Sequence, residues 1–164
     1  MARGPALRLG GPGRTARAVA LAVPALLLAG AYIGQYAFGL YPCEMCWWQR
    51  WPHFAALAFA ALAYAVPSRW LVALAAGGIA SSGAIAVFHA GVEYGWWEGV
   101  TACAAIPDPV TGQDPLETIM NAPLVRCDQA PWTLLGISLA GYNALLSLAA
   151  AAAIAMLLRQ DLRR

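Results

Sequence analysis

The feature that most constrains this sequence is a set of four long stretches without a charged residue. Alanine and leucine dominate them, and they cover residues 18–43, 51–68, 70–92 and 129–158. A helix needs about 20 apolar residues to cross the hydrocarbon core of a bilayer. Strands of a membrane barrel are shorter and alternate in polarity, which these stretches do not. The sequence therefore predicts an all-α integral membrane protein, a bundle of four spanning helices.

The four predicted helices cover residues 18–38, 49–66, 70–91 and 132–157. Two loops, 39–48 and 93–131, join them on one side, while residues 1–17 and 159–164 extend from the other. Buried helices of a soluble protein are the alternative. That alternative fails because four such helices, in a chain with 61% hydrophobic and 11% charged residues, leave no polar surface.

The arginines predict the orientation, since the sequence contains no lysine. Eight of them lie on the side that holds both termini, at Arg3, Arg8, Arg14, Arg17, Arg69, Arg159, Arg163 and Arg164. Only Arg50 and Arg126 lie on the other side, so the positive-inside rule predicts cytoplasmic termini and periplasmic loops. A net charge of +2 without a basic run argues against nucleic acid as a partner.

The N-terminal segment has a second interpretation as a secretory signal peptide. Its arginines precede an apolar run and the small residues AGA at 29–31, as at a cleavage site. The apolar run continues past that point to Cys43, however, which favours a first helix that stays in the protein.

All four cysteines fall in the two outer loops, Cys43 and Cys46 in the first and Cys103 and Cys127 in the second. Thiols on the oxidising side of a membrane tend to form disulfides, and four cysteines allow three connectivities. The alternatives are two structural disulfides, a zinc site and catalytic disulfide exchange. No second C-x-x-C or histidine pair completes a tetrahedral zinc site, so no metal ligand is predicted.

The C-x-x-C motif at Cys43 and Cys46 favours catalysis. Its disulfide would close a very small, easily reduced ring. A thiol near an arginine or a helix N-terminus is activated as the thiolate, and Arg50 lies one turn beyond Cys46. Cys43, which follows Pro42, is expected to be the more exposed sulfur that exchanges. Cys46 is expected to be the buried sulfur that passes electrons on.

Arg50 is predicted to stabilise the negative charge that develops on a quinone carbonyl as it gains electrons. A quinone is lipid-soluble, so it would arrive from within the bilayer. The alternative is an interfacial anchor whose guanidinium reaches the headgroups. His89, at the outer end of the third helix, is a candidate donor to the quinone or part of a proton route, or a histidine satisfied by water. His53 is interpreted as interfacial, and Gln49 has no assigned role.

The second loop contains the turn residues IPDPVTGQDP at 106–115. Leu116, Ile119, Met120 and Leu124 then recur at helical spacing, which fits either a short helix on the outer leaflet or a plain loop. In either case Cys103 and Cys127 are expected to be exposed to a soluble partner.

Three segments resemble disulfide-bond-formation protein B, the DsbB family of bacterial inner membranes. They are PCEMCWWQRWPH at 42–53, FHAGVEYGWWEG at 88–99 and CDQAPWTLLGISLAGYNALL at 127–146, with Cys103 between the last two. The related vitamin K epoxide reductase family has its C-x-x-C toward the last helix, so the order of the cysteine pairs argues against it.

The resemblance implies a membrane thiol oxidoreductase that works as a relay. A reduced periplasmic thioredoxin-fold partner similar to DsbA would attack a Cys103–Cys127 disulfide at Cys103. The Cys43–Cys46 pair would reoxidise that pair, and Cys46 would deliver electrons to ubiquinone or menaquinone. His89 matches a family histidine near the quinone. The alternative is a non-catalytic four-helix membrane protein with two structural disulfides.

Overall fold

A computed structural model describes residues 11–100 and 125–163 and contains four long helices. They are α1 (Pro12–Ala37), α2 (Glu44–Ala65), α3 (Arg69–Glu93) and α4 (Leu139–Leu162). Within the described residues the remaining regular structure is a hairpin of β1 (Thr133–Leu134) and β2 (Ile137–Ser138). The prediction of a mostly helical chain with four helices is confirmed.

Side chains at two helix starts accept hydrogen bonds from the first turn. The Sγ atom of Cys43 accepts from the backbone N–H of Cys46 at 3.3 Å at the start of α2. The Ser138 hydroxyl accepts from the backbone N–H of Gly141 at 3.1 Å at the start of α4. Both contacts satisfy N–H groups that have no partner within the helix. The C-x-x-C motif thus caps the helix that carries Arg50.

The helix boundaries differ from the predicted ones. α1 begins at Pro12 rather than at 18, and α2 begins at Glu44 rather than at 49. The reason is that a charged residue ends an apolar run without ending a helix. α4 begins at Leu139 rather than at 132, and it continues to Leu162 rather than ending at 157.

The hairpin occupies the place where the first turns of the fourth helix were predicted. Thr133 pairs with Ser138 and Leu134 with Ile137, so two residues form the turn. These residues, Leu135 and Gly136, have φ angles of 52° and 77°. Positive φ at both turn positions gives the twist that a two-residue hairpin needs. The sequence did not indicate a turn at this position, because its residues are mostly apolar and leucine rarely adopts a positive φ.

Small residues bring α3 close to both of its neighbours. A Cβ atom on Gly78 would lie 2.9 Å from the Pro52 carbonyl oxygen of α2, and one on Gly83 would lie 3.0 Å from the Leu148 side chain of α4. Helices in membranes associate through such close contacts, since lipid tails are as apolar as leucine. α3 therefore packs between α2 and α4, and α1 packs against α2 and α4 as well.

The half of the bundle distant from Cys43 and Cys46 packs mainly through alanine methyl groups. We call its buried residues the alanine core: Ala16, Ala20, Ala56, Ala60, Ala63, Val72, Ala75, Ile79, Ala150 and Ile154. Every helix contributes to this set, so the backbones approach one another closely at this end.

Three helices of the described part, α1, α3 and α4, are long and apolar enough to cross a membrane. Four spanning helices were predicted, and α2 is not among the three because Gln49, Arg50 and His53 lower the mean hydropathy of its first turns. The tryptophans near the C-x-x-C motif all have exposed surface, at Trp47, Trp48, Trp51, Trp96, Trp97 and Trp132.

Candidate functional site

The first turn of α2 brings the two sulfurs of the C-x-x-C motif together. Cys43 is the residue before the helix and Cys46 lies in its first turn, so their Sγ atoms are 3.0 Å apart. A disulfide needs about 2.05 Å between its sulfurs. A small movement of either side chain would therefore close the bond, and the pair is suited to reversible oxidation.

The burial of these two cysteines is the reverse of what we expected. Cys43 is 4% exposed because Met45, Val92 and Cys127 pack around it, whereas Cys46 is half-buried. The prediction that Cys43 is the exposed sulfur is therefore wrong. The pKa of the Cys43 thiol is raised, since the thiol donates a hydrogen bond to Cys46 Sγ and is removed from water.

Arg50 is held inside the bundle, with 6% of its surface exposed. Its Nη1 donates to the side-chain oxygen of Gln35 at 2.7 Å, and its Nη2 donates to the Ala31 carbonyl oxygen at 3.4 Å. Its Cζ lies 4.8 Å and 4.9 Å from the ring centroids of Tyr32 and Trp47. The guanidinium is therefore fixed by α1 and by aromatic rings, which disagrees with a flexible interfacial anchor.

His89 lies on α3 beside the first cysteine. Its Nε2 is 3.5 Å from Cys43 Sγ and 3.7 Å from Glu93 Oε1. Its Nδ1 is 2.7 Å from Gln49 Nε2. An amide nitrogen only donates, so Nδ1 accepts this hydrogen bond and the neutral ring carries its proton on Nε2. The N–H group of His89 therefore lies on the side of the Cys43 thiol, and the ring also forms a hydrogen bond with the Cys127 backbone.

Cys127 brings the second predicted loop to the same place. Its Sγ, the Cys43 Sγ and a ring nitrogen of His89 all lie within 4.8 Å of one another. Cys127 is 3% exposed, so the prediction that it is open to a soluble partner is wrong. Cys103 and the predicted interfacial helix at 116–124 lie outside the described residues.

A buried set of polar side chains, which sequence analysis missed, links α2, α3 and α4. We call it the polar network: Gln49, His53, Ser82, Asn143 and Ser147. Asn143 Nδ2 donates to Gln49 Oε1 at 2.7 Å and to Ser82 Oγ at 3.2 Å. Asn143 Oδ1 accepts from Ser147 Oγ at 2.8 Å and lies 3.0 Å from His53 Nε2. Through Gln49, this network fixes the orientation of the His89 ring.

The interpretation of His53 as interfacial is wrong, since the residue is 3% exposed inside the bundle. The sequence did contain a signal for the polar network. Gln49 and His53 are four residues apart, as are Asn143 and Ser147, and this spacing places each pair on one helix face. Polar groups within apolar helices need partners inside the bundle, so the two pairs predict a shared interface.

Two cavities meet at this end of the bundle. The thiol cavity, about 290 Å³, is lined by Cys43, Cys46 and the segment around Arg126. The apolar cavity, about 280 Å³, is lined mainly by apolar residues of α1 and α4, together with Arg50 and His53. Five residues line both cavities: Tyr41, Cys46, His89, Glu93 and Pro131. Cys46 therefore has access to the apolar cavity as well as to the other thiols.

The apolar cavity has the chemistry that a quinone ring requires. Its walls include Leu26, Leu28 and Leu139, and its polar groups are few. Sites for small organic ligands combine apolar walls with a few convergent polar groups in this way. Arg50, one of those groups, uses two of its five N–H donors on α1 within the described residues. The site thus fits a group that gains negative charge on an oxygen atom.

Donor atoms of the types that zinc binds are also present. Cys43, His89 and Cys127 supply two sulfurs and a nitrogen within 4.8 Å. The three residues include one member of each cysteine pair, so the same geometry serves disulfide exchange between the pairs. Metal analysis of the purified protein distinguishes the two interpretations.

Comparisons with known proteins agree with this geometry. Residues 13–157 match the protein family described as disulfide bond formation protein DsbB. An uncharacterised protein of Rickettsia prowazekii (strain Madrid E) is 26% identical over 135 residues, which cover 79% of this chain and 78% of that protein. No solved structure gives a significant match. The family match covers most of the chain, including Cys43, Cys46, Cys103, Cys127, Arg50 and His89, and the chain therefore belongs to the DsbB family of membrane disulfide-forming proteins.

Proposed function

We propose that this protein reoxidises a periplasmic DsbA-like dithiol protein through its two cysteine pairs and passes the electrons to a membrane quinone. The observation that carries this proposal is the position of Cys46. It lies 3.0 Å from Cys43, and it lines the same apolar cavity as the fixed guanidinium of Arg50. A structural disulfide needs no such access to an apolar cavity.

The exchange between the two pairs is supported by Cys127. Its sulfur lies within 4.8 Å of the Cys43 sulfur, in contact with the C-x-x-C motif. Disulfides exchange when a thiolate attacks one sulfur of a disulfide. When the partner attacks at Cys103, the released Cys127 thiolate is close enough to attack Cys43, and Cys46 becomes the leaving thiolate. The partner's second thiolate then closes the partner's own disulfide and releases Cys103, which attacks Cys127 and releases Cys43. Two electrons and two protons have then moved from the partner to the C-x-x-C pair.

Arg50 and His89 are the two groups that we assign to the quinone. A bound quinone supplies the acceptor for two electrons and two protons. Arg50 stabilises negative charge on its oxygen from a fixed position, and such preorganised donors are effective where water is excluded. His89 lines the same cavity and also directs Nε2–H toward Cys43 Sγ, 3.5 Å away. That contact stabilises the Cys43 thiolate when Cys103 displaces it from Cys127.

In this proposal the cysteine end of the bundle faces the periplasm and both termini lie in the cytoplasm of a bacterial inner membrane. Arg14, Arg17, Arg69 and Arg159 all belong to the opposite end of the helices. The exposed tryptophans at the cysteine end are typical of a membrane–water interface. The family's DsbA partner acts in the periplasm, where thiols are oxidised.

The test is reconstitution of the purified protein with a reduced DsbA-like partner and either ubiquinone or menaquinone. We expect the wild type to consume partner thiols and form quinol, and we expect Cys46→Ser to form none. Trp48→Phe, an exposed neighbour in α2, is the matched control and should retain full activity.

Two outcomes would contradict the proposal. Unchanged turnover in Cys46→Ser would remove the C-x-x-C pair from the electron path. A wild type that binds stoichiometric zinc and oxidises no thiols would favour the metal interpretation of Cys43, His89 and Cys127. Inert protein without metal would instead favour the alternative of two structural disulfides.

A further inference from the structure

Glu93 is a buried acidic residue at the point where the two cavities meet. Its side chain is 3% exposed, although a carboxylate is costly to remove from water. Its Oε1 is 3.7 Å from His89 Nε2, and its Oε2 has no hydrogen-bond partner among the described residues. A buried carboxylate oxygen without a partner calls for an explanation in function.

Apart from Tyr41, whose phenol is a weak proton acceptor, three ionisable residues line both cavities: Cys46, His89 and Glu93. Cys46 is the electron donor in the proposed function. The neutral His89 ring is not free to accept a proton, since Gln49 donates to its Nδ1 and Nε2 already carries hydrogen. Glu93 is the remaining group with an available acceptor atom. It can be approached from the thiol side and from the quinone side alike.

We propose that Glu93 carries a proton from the Cys46 thiol to the oxygen of the quinone in the apolar cavity. This inference rests on the proposed function and deepens it by assigning the path of a proton. In the catalysed step two S–H bonds break, one S–S bond forms between Cys43 and Cys46, and the quinone gains two electrons and two protons. Every proton that the quinol needs is thus released by the thiols.

In this step Glu93 begins and ends as a carboxylate. It accepts the Cys46 proton at Oε2, which leaves Cys46 as the thiolate that gives up the electron pair. It then donates the same proton to a quinone oxygen that has gained negative charge. The second proton comes from Cys43. A hydrogen bond with the Ser138 side chain holds the carboxyl group in place, and His89 Nε2 lies 3.7 Å from its Oε1.

The experiment compares Glu93→Gln, Glu93→Asp and the control Glu98→Gln in fully reduced protein. Gln has nearly the same shape as Glu but cannot accept a proton, whereas Asp keeps a carboxyl group. Glu98 is an exposed carboxylate beyond the end of α3 and lines neither cavity. We expect quinol formation to slow by roughly 100-fold in Glu93→Gln, the usual contribution of general acid–base catalysis. It should slow much less in Glu93→Asp and stay unchanged in Glu98→Gln.

A second measurement uses no quinone. Alkylation of Cys46 by iodoacetamide in the reduced protein, followed by mass spectrometry, reports how readily its thiolate forms. We expect alkylation in Glu93→Gln to be at least as fast as in wild type, because the loss of a nearby negative charge favours the Cys46 thiolate, although quinol formation slows. If Glu93 acted only through its charge, the easier formation of the thiolate would speed quinol formation as well. Alkylation and quinol formation that slow together, or that both become faster, would therefore overturn the proposal.

Disulfide exchange between oxidised protein and reduced partner, without quinone, serves as the folding control. It should remain at the wild-type rate in Glu93→Gln, since Glu93 acts after the exchange. Failure of the proposed function would appear as absence of quinol formation in the wild type. Failure of this inference alone would appear as an active wild type and an equally active Glu93→Gln variant.

Discussion

The two ends of the bundle are held together by different forces. At the cysteine end, Asn143, Gln49 and their neighbours form directional hydrogen bonds between three helices. At the other end, the alanine core packs mainly by close contact of methyl groups, and one hydrogen bond, from Arg17 to the Ala63 carbonyl oxygen, joins two helices there. Directional bonds fix the orientation of a ring or an amide, whereas methyl contacts fix only the distance between backbones. The comparison indicates that the cysteine end is built for chemistry and the alanine core for assembly.

The largest effect on the cysteine end is expected from Arg50→Met. Quinol formation should fall by about 100-fold, because one preorganised donor for a developing negative charge is lost. Exchange between the partner and the second cysteine pair should stay nearly intact. Stopped-flow absorbance of quinol, with a gel assay of the mixed disulfide, measures the two steps separately.

Arg69→Met is the matched control for this prediction. Arg69 lies over the ring of Trp70 at the opposite end and lines neither cavity. It should leave both steps unchanged. An equal loss of partner exchange in Arg50→Met would show that our separation of the exchange step from the quinone step is wrong.

Asn143→Leu should destabilise the cysteine end by about 3 kcal/mol. Hydrogen bonds between membrane helices contribute roughly 0.6 kcal/mol each. Asn143 makes three contacts of this kind, to Gln49, His53 and Ser82, and a fourth to Ser147 within α4. The partners left without a bond add to the loss. Unfolding in mixed micelles, followed by tryptophan fluorescence, measures the difference. Gln160→Leu, an exposed amide on the same helix, should have almost no effect.

Ala60→Leu tests the other end of the comparison. Ala60 is fully buried in the alanine core, so a larger side chain should cost about 2 kcal/mol of stability through overpacking. The neighbouring Ala61 is exposed, so Ala61→Leu should be close to neutral in the same unfolding assay. Folded Ala60→Leu protein should still reduce quinone, since the alanine core lines neither cavity. A selective loss of activity there would contradict the division between the two ends.

The smallest effect is expected from Arg17→Gln. Arg17 Nη1 donates to the Ala63 carbonyl oxygen at 3.2 Å, and its Cζ lies 4.3 Å from the ring centroid of Tyr64. Loss of one cation–π contact at a partly exposed site should lower stability by about 0.5 to 1 kcal/mol. Arg14→Gln, at an exposed position on the same helix, should change it less. Equal losses of stability in the two variants, in the same unfolding assay, would show that the contact between Arg17 and Tyr64 is not the cause.

The sequence predicted the helices because few structures other than a helix can accommodate a long uncharged run. It did not predict the hairpin at Thr133–Leu134 and Ile137–Ser138, because the turn uses a leucine at positive φ, which composition conceals. It also misplaced the start of α2, since residues 44–48 were assigned to the loop that holds the cysteines, although they are helical. Local residue types alone do not reveal where a capped helix begins.

The candidate site was predicted in part. Motif spacing identified the C-x-x-C pair and Arg50, because their chemistry depends on neighbours within one turn. Spacing could not predict that Cys127 covers Cys43, since that contact joins residues far apart in the chain. Nor did it reveal Glu93, whose burial depends on packing around the end of α3.

The most direct test of the central claim is an anaerobic titration of fully reduced protein with quinone, without any partner. Thiols are counted after denaturation and quinol is measured by absorbance. Our account predicts that two thiols disappear for each quinol formed, with the first bond joining Cys43 and Cys46. If the quinone stays oxidised and the number of thiols does not fall, the result would contradict our account.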